Sequence, residues 1–429
     1  MINRVFKHVF ACVLFGEKQM LSGRGKGMEI TELAQLYQLS ARRVRETSLT
    51  FSRHLYSSID WENRLIALMG ARGTGKTTLL LQKMKRDFPR SANALYMSLD
   101  HFWFKTHSVY DAVEAHIHNG GTHVFLDEVH YQKDWEVLIK NLYDDFPSLH
   151  IIYTGSSILK IKKAQADLSR RQIEYDLPGL SFSEYLEMEK VITIPPVSLD
   201  QILQEHFTLS MDITEKINIL KHFHDYLNAG YYPFFKDIHS GYAERLQQII
   251  NQVLESDFPA TENVSYATIQ KTRKMLMILS ESAPQTPNME RLYRELETDR
   301  NQGLKMLHVL SSADLLNLLS SDSVSMKNMS RPDKIYCDNP NLMYALCPSA
   351  EIGTIRETFF LNQLRAAKYN ITYPKQGDFL INDRYLFEVG GKGKTFRQIK
   401  DLPNSYLAVD DIETGLGNRI PLWIFGMAY

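Results

Sequence analysis

A short glycine-rich run between two apolar stretches carries the residues best suited to chemistry. It reads Gly70-Ala-Arg-Gly-Thr-Gly75-Lys76-Thr77, with an apolar run before it and a helical pattern after it. Two glycines separated by four residues and followed by Lys and Thr match the phosphate-binding loop pattern. Glycines let backbone N–H groups turn inward onto phosphate oxygens. The following helix points its partly positive N-terminus at the same place, so the run predicts a nucleotide site.

The side chains of this loop have separate expected roles towards a bound nucleotide. We expect Lys76 to reach the β and γ phosphates as a point charge and Thr77 to place its hydroxyl on Mg²⁺. The predicted contacts to the nucleotide are Gly70, Ala71, Arg72, Gly73, Thr74, Gly75, Lys76, Thr77 and Thr78.

A second apolar run, residues 124–128, ends in the carboxylates Asp127 and Glu128. An acid at the end of a strand in the same sheet completes a nucleotide site of this kind. We expect Asp127 to orient Mg²⁺ or its water and Glu128 to polarise the attacking water. Together with the loop, the two acids predict ATP and Mg²⁺ as the ligands, and hydrolysis as the reaction.

Strands and helices alternate through the first part of the chain, as a site of this type requires. Strands are predicted at residues 61–69, 95–99, 124–128 and 151–157, and a helix follows the loop at 77–87. This alternation favours a parallel α/β sheet with the site at the carboxyl ends of the strands.

Bulk composition limits the class of protein. The 429 residues suffice for several domains. Lys plus Arg number 49 and Asp plus Glu number 50, so net charge gives no argument for a nucleic-acid partner. The three cysteines, Cys12, Cys337 and Cys347, provide neither a disulfide framework nor zinc spacing, so a reducing, cytoplasmic location is expected. No apolar stretch approaches the length of a membrane span, and no membrane partner is expected.

The first 27 residues loosely imitate a signal peptide. Arg4 and Lys7 precede a short apolar run that ends at Phe15, but a good small-residue cleavage site is missing. We therefore interpret residues 1–27 as a tail or a start-site extension, with export as the alternative.

The rest of the chain separates into three further parts. Residues 196–262 have helical patterns and suggest a lid. Residues 263–345 predict three helices and a strand pair at 319–337, which is typical of a winged helix. The candidate recognition helix, 304–318, carries only Lys305 and His308 as possible cations, so DNA binding and protein contact both stay open. Residues 346–429 return to mixed α/β, with a helix at 353–368, a β-hairpin and late strands at 406–409 and 421–425.

The whole pattern resembles a known family, the bacterial and archaeal AAA-type (AAA+ superfamily) ATPases that end in a restriction-endonuclease-like domain, particularly the Bacteroidetes-type branch. The resemblance covers about residue 28 to the end. The stretches that carry it are GARGTGKTT, FLDEVH, YTGSS, LPGLSFSEYL, AGYYPFF and GDFLINDRYLFEVGGK.

The resemblance implies an ATPase domain at 28–195, the helical lid and winged helix already outlined, and a nuclease-like domain at 346–429. It also implies that Thr154 or Ser156 contacts the γ-phosphate, with a plain strand-to-turn ending as the alternative. Arg171 falls where the family has an arginine and is a candidate for charge stabilisation in cis or in trans, with an ordinary surface arginine as the alternative. Oligomers are common among such proteins, so an oligomer is possible here.

In the C-terminal part, the resemblance implies a nuclease site of the Asp…Glu-x-Lys type. The metal-binding acids would be Asp378 and Glu388, with Glu357 on the helix as a helper. The lysine position is occupied by Gly390, and Lys392 would share its face if the strand continues. A degenerate domain that only holds a partner is the alternative.

Three functions are therefore open from the sequence. The first is a Mg²⁺-dependent ATPase whose turnover rearranges the C-terminal domains. The second is an ATP-gated DNA-binding protein or nuclease. The third is a nucleotide-switched module that binds a protein partner with little turnover. The sequence does not name the DNA or protein partner.

Overall fold

In the computed structural model of the protein, the described residues are 30–89, 92–159, 168–238, 240–261, 264–281, 288–321, 332–400 and 402–429. The predicted tail at 1–27 lies outside these ranges. No helix in the part of the chain that the structure describes is long and apolar enough to cross a membrane.

The nucleotide-binding part is built on a five-stranded parallel sheet with the strand order β2-β3-β4-β1-β5. The central strand β1 is buried along its whole length, as expected for a parallel strand covered on both faces. The predicted parallel α/β fold is therefore confirmed. The edge strand β5 was not predicted, because its sequence Ile-Glu-Tyr-Asp is short and contains two acids. In the structure its residues are exposed or half-buried. The strands are β1 Leu65–Gly70, β2 Ala94–Ser98, β3 His123–Asp127, β4 His150–Ser156 and β5 Ile173–Asp176.

Helices pack on both faces of this sheet. The first helix begins at Ile30 and stops at Glu46, and helical structure resumes only for one turn at Leu55. The intervening chain is rich in Ser and Thr, whose hydroxyls bond to nearby backbone and compete with helix formation, as Ser48 does with the backbone N–H of Thr50. The helices are α1 Ile30–Glu46, α2 Leu55–Ser58, α3 Lys76–Asp87, α4 Val109–His118, α5 Trp135–Asp145 and α6 Phe182–Met188.

The middle of the chain is helical and ends in a two-stranded antiparallel sheet, β6 with β7. The helices are α7 Leu199–Thr214, α8 Ile219–Ala229, α9 Tyr242–Gln252, α10 Phe258–Thr261, α11 Tyr266–Glu281, α12 Met289–Glu295, α13 Arg300–Ser312 and α14 Pro340–Leu346, and the strands are β6 Leu316–Leu319 and β7 Lys334–Cys337.

The predicted recognition helix over 304–318 extends too far. Asp314 adopts a left-handed φ of 53°, and the Leu315 N–H returns to the Leu310 carbonyl, which ends α13 at Ser312. Three helices followed by a strand pair are consistent with a winged helix, but this assignment stays a prediction.

In the C-terminal part, the α-helix α15 Ile352–Ala366 packs against a mixed sheet with the order β12-β11-β10-β9-β8. The predicted β-hairpin is confirmed by the antiparallel pairing of β9 with β10, and β10, β11 and β12 are parallel. The strands are β8 Ile371–Thr372, β9 Phe379–Ile381, β10 Tyr385–Gly390, β11 Ser405–Val409 and β12 Arg419–Pro421.

The strand predicted at 421–425 is wrong. Strand β12 stops at Pro421, which lacks an N–H for the ladder, and Leu422–Met427 forms a buried 3₁₀ segment. This segment packs against α6 and α15, and a Cβ on Gly426 would lie 2.5 Å from the Cβ of Phe182. The chain end therefore joins the C-terminal part to the nucleotide-binding part through one apolar core.

Arg53 ties three segments of the nucleotide-binding part together although it is only 6% exposed. Its guanidinium donates to the carbonyls of Thr74, in the loop, and Gly179, at 2.7 and 2.6 Å. It also donates to the Glu184 carboxylate at 3.0 Å. Glu184 itself closes a capping box at the start of α6.

Replacing Arg53 by Met should destabilise the protein by about 3–5 kcal/mol, since it leaves the Glu184 carboxylate buried without its cation. The measurement is urea unfolding followed by circular dichroism. The matched control is Arg42→Met, because Arg42 forms only an exposed pair with Glu46 on α1, a kind of pair worth about 0–1 kcal/mol. Equal losses from the two variants would contradict the assigned role.

Candidate active site

The loop between β1 and α3 adopts a conformation that only glycine tolerates at its key positions. Gly73 and Gly75 have φ angles of 84° and 95°, in the left-handed region. A Cβ on Gly70 would lie 2.3 Å from the Leu177 carbonyl oxygen. The glycine spacing of the sequence therefore has a steric cause, and it exposes backbone N–H groups at the start of α3.

Lys76 is buried with its ammonium folded back on the loop. The Nζ atom donates to the carbonyls of Gly70 and Ala71 at 2.8 and 2.9 Å. Burial lowers the pKa of Lys76, while the charges of Glu128 and Asp127 oppose the shift. An anion at the loop would offer this ammonium a stronger partner than the neutral carbonyls.

Asp127 is the meeting point of four elements. Its carboxylate accepts hydrogen bonds from Thr77 on α3 at 2.8 Å, from Tyr96 on β2 at 2.8 Å, and from Thr154 on β4. Burial and the charge of Glu128 raise the pKa of Asp127, and the three hydroxyl donors partly offset this. The structure thus brings together Thr77 and Asp127, the two residues predicted to serve Mg²⁺. Their oxygen atoms suit this hard cation, which typically takes few protein ligands and keeps several waters.

Thr154 has a different position from the one expected of a γ-phosphate contact. Its side chain is fully buried, its hydroxyl donates to Asp127, and it accepts the Glu128 N–H at 2.9 Å. Because the hydroxyl is committed to both acids, Thr154 acts on the site by holding the end of β3. Ser156, the other residue considered, is also buried.

Glu128 has a strained backbone and an unsatisfied carboxylate. Its φ of 56° lies in the left-handed region, which is uncommon for a residue with a side chain and recurs at functional sites. Its Oε2 atom is buried and makes no hydrogen bond with any described residue, although the Nδ1 atom of His130 lies 3.3 Å away.

The middle of the chain reaches the loop through Asp257, a residue that sequence analysis missed. Both its oxygens accept from Arg72, at 2.7 and 2.8 Å, and the His130 ring lies 3.5 Å from one of them. Burial alone would raise the pKa of Asp257, but hydrogen bonds from His130 and Arg72 and the charge of Arg72 hold it at about 2. No signal in the sequence pointed to Asp257, whereas His130 lies in the quoted FLDEVH stretch.

Aromatic residues from the AGYYPFF stretch also cover the loop. A Cβ on Gly73 would lie 2.9 Å from the Phe234 ring and 3.5 Å from that of Tyr232, and one on Gly75 would lie 3.7 Å from Pro233. The loop is therefore in van der Waals contact with the segment that follows α8.

Arg171 is not brought to the loop, which corrects its predicted role in cis. It lies two residues before β5, at the amino end of the parallel sheet, and donates two hydrogen bonds to Asp144 at 3.0 and 3.2 Å. Gly70 lies at the opposite end, about 20 Å away at ~3.3 Å per strand residue. A role in trans stays a prediction.

Two of the three acids of the predicted C-terminal site, Glu357 and Asp378, lie close together. Glu357 of α15 and Asp378 flank Lys334 of β7, whose Nζ lies 3.3 and 3.8 Å from their oxygens. Burial raises the pKa of Glu357, and the charge of Asp378 adds to the shift. Glu388 of β10 is 1% exposed, and its Oε2 has no hydrogen-bond partner among the described residues.

Lys392 is not the lysine that meets these acids, and this prediction is wrong. Strand β10 ends at Gly390, and a turn brings Lys394 back over it, with its Nζ 2.8 Å from the Glu388 Oε1. A Cβ on Gly390 would lie 2.7 Å from the Lys394 stem. Glycine at the expected lysine position therefore makes room for a lysine supplied from four residues later.

Two family matches cover separate parts of the chain. Residues 62–186 match the AAA domain family, and residues 220–351 match a domain family of unknown function, DUF8612. The second match spans parts of the predicted lid and winged helix together, and the boundaries drawn between them stay predictions.

A protein of Methanocaldococcus jannaschii is 27% identical over 372 residues, which is 79% of this chain and 78% of the relative. Among solved structures, AMPPCP-bound DnaA from Aquifex aeolicus is 14% identical, with 68% of this chain and 89% of that chain covered and a TM-score of 0.23. PCH-2 of C. elegans is 15% identical, with 66% and 69% covered and a TM-score of 0.23.

The superposition on these structures is poor, so the assignment depends on the AAA domain match and on the local geometry. The matched residues contain the loop, the strand that carries Asp127 and Glu128, and all five strands of the parallel sheet. Residues 62–186 are therefore similar to the AAA domain family, and their loop and the acids of β3 have the geometry of a P-loop nucleotide site.

Proposed function

We propose that the protein is a Mg²⁺-dependent ATPase that uses ATP hydrolysis to rearrange its helical and C-terminal parts. The observation that carries the proposal is the end of β3. There Asp127 is fixed by three hydroxyls, and the adjacent Glu128 keeps a carboxylate oxygen free of hydrogen bonds to described residues. In the proposed reaction this carboxylate binds the attacking water.

In the proposed reaction, Lys76 exchanges its two carbonyl partners for the β and γ phosphates. Thr77 supplies a hydroxyl ligand and Asp127 a carboxylate for Mg²⁺, which when bound neutralises charge on the phosphates. Glu128 accepts a proton as a water oxygen attacks the γ phosphorus, the bond to the leaving ADP oxygen breaks, and the proton passes on to the phosphate formed. The hydrogen bond from the Glu128 backbone N–H to the Thr154 hydroxyl on β4 holds the base at the end of β3.

Contacts around the loop support a mechanical use of this reaction. Arg72 is bound by Asp257, which follows α9, and Gly73 is packed against Phe234, which follows α8. A loop that reshapes around phosphates must change these contacts. The predicted lid (196–262), winged helix (263–345) and nuclease-like domain (346–429) are the parts that we propose to move.

Replacing Lys76 by Ala should weaken ATP binding by about 100-fold or more, since a charge-assisted contact to phosphate is lost. The measurement is titration with a fluorescent ATP analogue, with circular dichroism to verify that the variant is folded. Lys83→Ala is the control, because Lys83 lies on the same helix and pairs with Asp87 instead. Unchanged affinity in the folded Lys76→Ala variant would remove the nucleotide site from this loop.

Replacing Glu128 by Gln should leave ATP bound but slow its hydrolysis by about 100-fold, the order expected for losing a general base. Phosphate release and analogue affinity are measured on the same preparation. Glu136→Gln in the first turn of α5 serves as a control acid. If Glu128→Gln turns over normally, another group is the base.

A second candidate function is a metal-dependent nuclease in the C-terminal part. It is favoured by the buried, unpartnered Oε2 atom of Glu388 beside Lys394, with Asp378 hydrogen-bonded to the N–H of Val389 on the same strand. A divalent cation would satisfy the free carboxylate oxygen. Lys334 already supplies a cation between Glu357 and Asp378, so a metal there would have to displace it.

If this second function is present, the protein should nick supercoiled DNA with Mg²⁺ or Mn²⁺, and both Asp378→Asn and Glu388→Gln should abolish nicking because each removes a metal ligand. Agarose gels of a plasmid substrate measure the nicking. Asp383→Asn, in the exposed turn between β9 and β10, is the control. Nicking that persists in both site variants, or is absent from the wild type, would reject the nuclease and leave the domain as a holder of a DNA or protein partner.

A further inference from the structure

A single carboxylate connects the phosphate loop with the proposed catalytic base. Asp257 has no exposed side-chain surface and receives Arg72 on both of its oxygens. The Nε2 atom of His130 lies 3.5 Å from Oδ1 and 3.3 Å from a guanidinium nitrogen of Arg72. Arg72 and His130 belong to the AAA domain, whereas Asp257 follows α9, outside the residues matched to that domain.

The backbone around Asp257 is unusual in a way that the sequence explains. Residues Val253–Asp257 form a π-helical turn, in which the Phe258 N–H bonds to the Val253 carbonyl. Pro259 follows, and a proline in a helix lacks an N–H and clashes with the carbonyl four residues earlier, here that of Glu255. The widened turn relieves this conflict and shifts the residues after it around the helix surface. Such turns recur at functional sites.

His130 carries the connection from Asp257 to Glu128. Its ring is buried, with one nitrogen towards Asp257 and the other, Nδ1, 3.3 Å from the Glu128 Oε2. Neither that Nδ1 nor that Oε2 makes a hydrogen bond in the described part of the chain. The two atoms thus face each other across a distance that a small ring or side-chain movement converts into a hydrogen bond.

We propose that Asp257 is a positioning residue for ATP hydrolysis. Through His130 it sets the orientation of the Glu128 carboxylate, and through Arg72 it makes that orientation depend on the shape of the phosphate loop. The inference rests on the proposed ATPase function and extends it. Asp257, a residue outside the matched AAA domain, thereby controls the base Glu128 within that domain. Movement of the helical part and hydrolysis of ATP become coupled.

A purely structural ion pair makes a different prediction. If Asp257 only fastened Arg72, its loss would lower the unfolding temperature without changing the turnover of folded molecules. If Asp257 positions Glu128, its loss lowers kcat while a non-hydrolysable ATP analogue still binds, because the phosphate contacts of Lys76 and Thr77 remain.

The test compares Asp257→Asn, His130→Phe and the double variant in the full-length protein. The two single variants break the connection at different points, so a folding defect in one leaves the other informative. Glu255→Gln is the matched control, because Glu255 lies on the same π-helical turn but is 54% exposed and pairs with Arg273. Steady-state phosphate release gives kcat and KM, and titration with the analogue gives affinity.

We expect each single variant to lose about tenfold or more in kcat, with analogue affinity within about threefold of wild type. The double variant should be no slower than the slower single one, within about twofold, since both residues act through the same contact. The control should behave as wild type.

A kcat of Asp257→Asn and His130→Phe near the wild-type value, or independent and multiplying losses in the double variant, would overturn the inference while leaving the ATPase intact. Absence of turnover in the wild type would overturn the proposed function, and this inference with it.

Discussion

The carboxylate of Asp127 is the interaction on which the nucleotide-binding part depends. It is buried at the end of β3 and holds hydroxyls from Tyr96 on β2, Thr154 on β4 and Thr77 at the start of α3. Three strands and the helix after the loop are thereby fixed at one point. Burying a carboxylate costs free energy unless its oxygens accept hydrogen bonds. The three hydroxyls therefore stabilise the carboxyl end of the sheet and keep the acid where Mg²⁺ would need it.

Around this fixed point, the loop is shaped mainly by residues distant in sequence. Arg53 holds the Thr74 carbonyl, the Leu177 carbonyl crowds Gly70, and Asp257 holds Arg72. The loop thus has a rigid side towards β3 and a side in contact with the helical part. A change in the shape of the loop at the phosphates would therefore reach distant segments through specific hydrogen bonds and close packing contacts.

The features that could be predicted from the sequence are those whose residues lie close together in the chain. The features that were missed depend on contacts between residues distant in sequence. The loop and the end of β3 could be found because their chemistry lies within a few consecutive residues and their strands are continuous apolar runs. Arg53 and Asp257 could not, because a buried ion pair leaves no pattern at either partner. Lys394 was missed in favour of Lys392 because a period-2 argument assumes that a strand continues, and Gly390 ends this one. Arg171 followed from a resemblance alone, and its position two residues before β5, at the amino end of the sheet, could not be predicted because the strand β5 was itself missed.

The central claim is that the loop and the acids of β3 together hydrolyse ATP with Mg²⁺. The most direct measurement is phosphate release by the purified wild-type protein over many turnovers, with Mg²⁺ present and with the metal chelated. The account predicts steady release that exceeds the amount of protein and stops when Mg²⁺ is chelated. Release that is absent, or that continues unchanged after chelation, would contradict it.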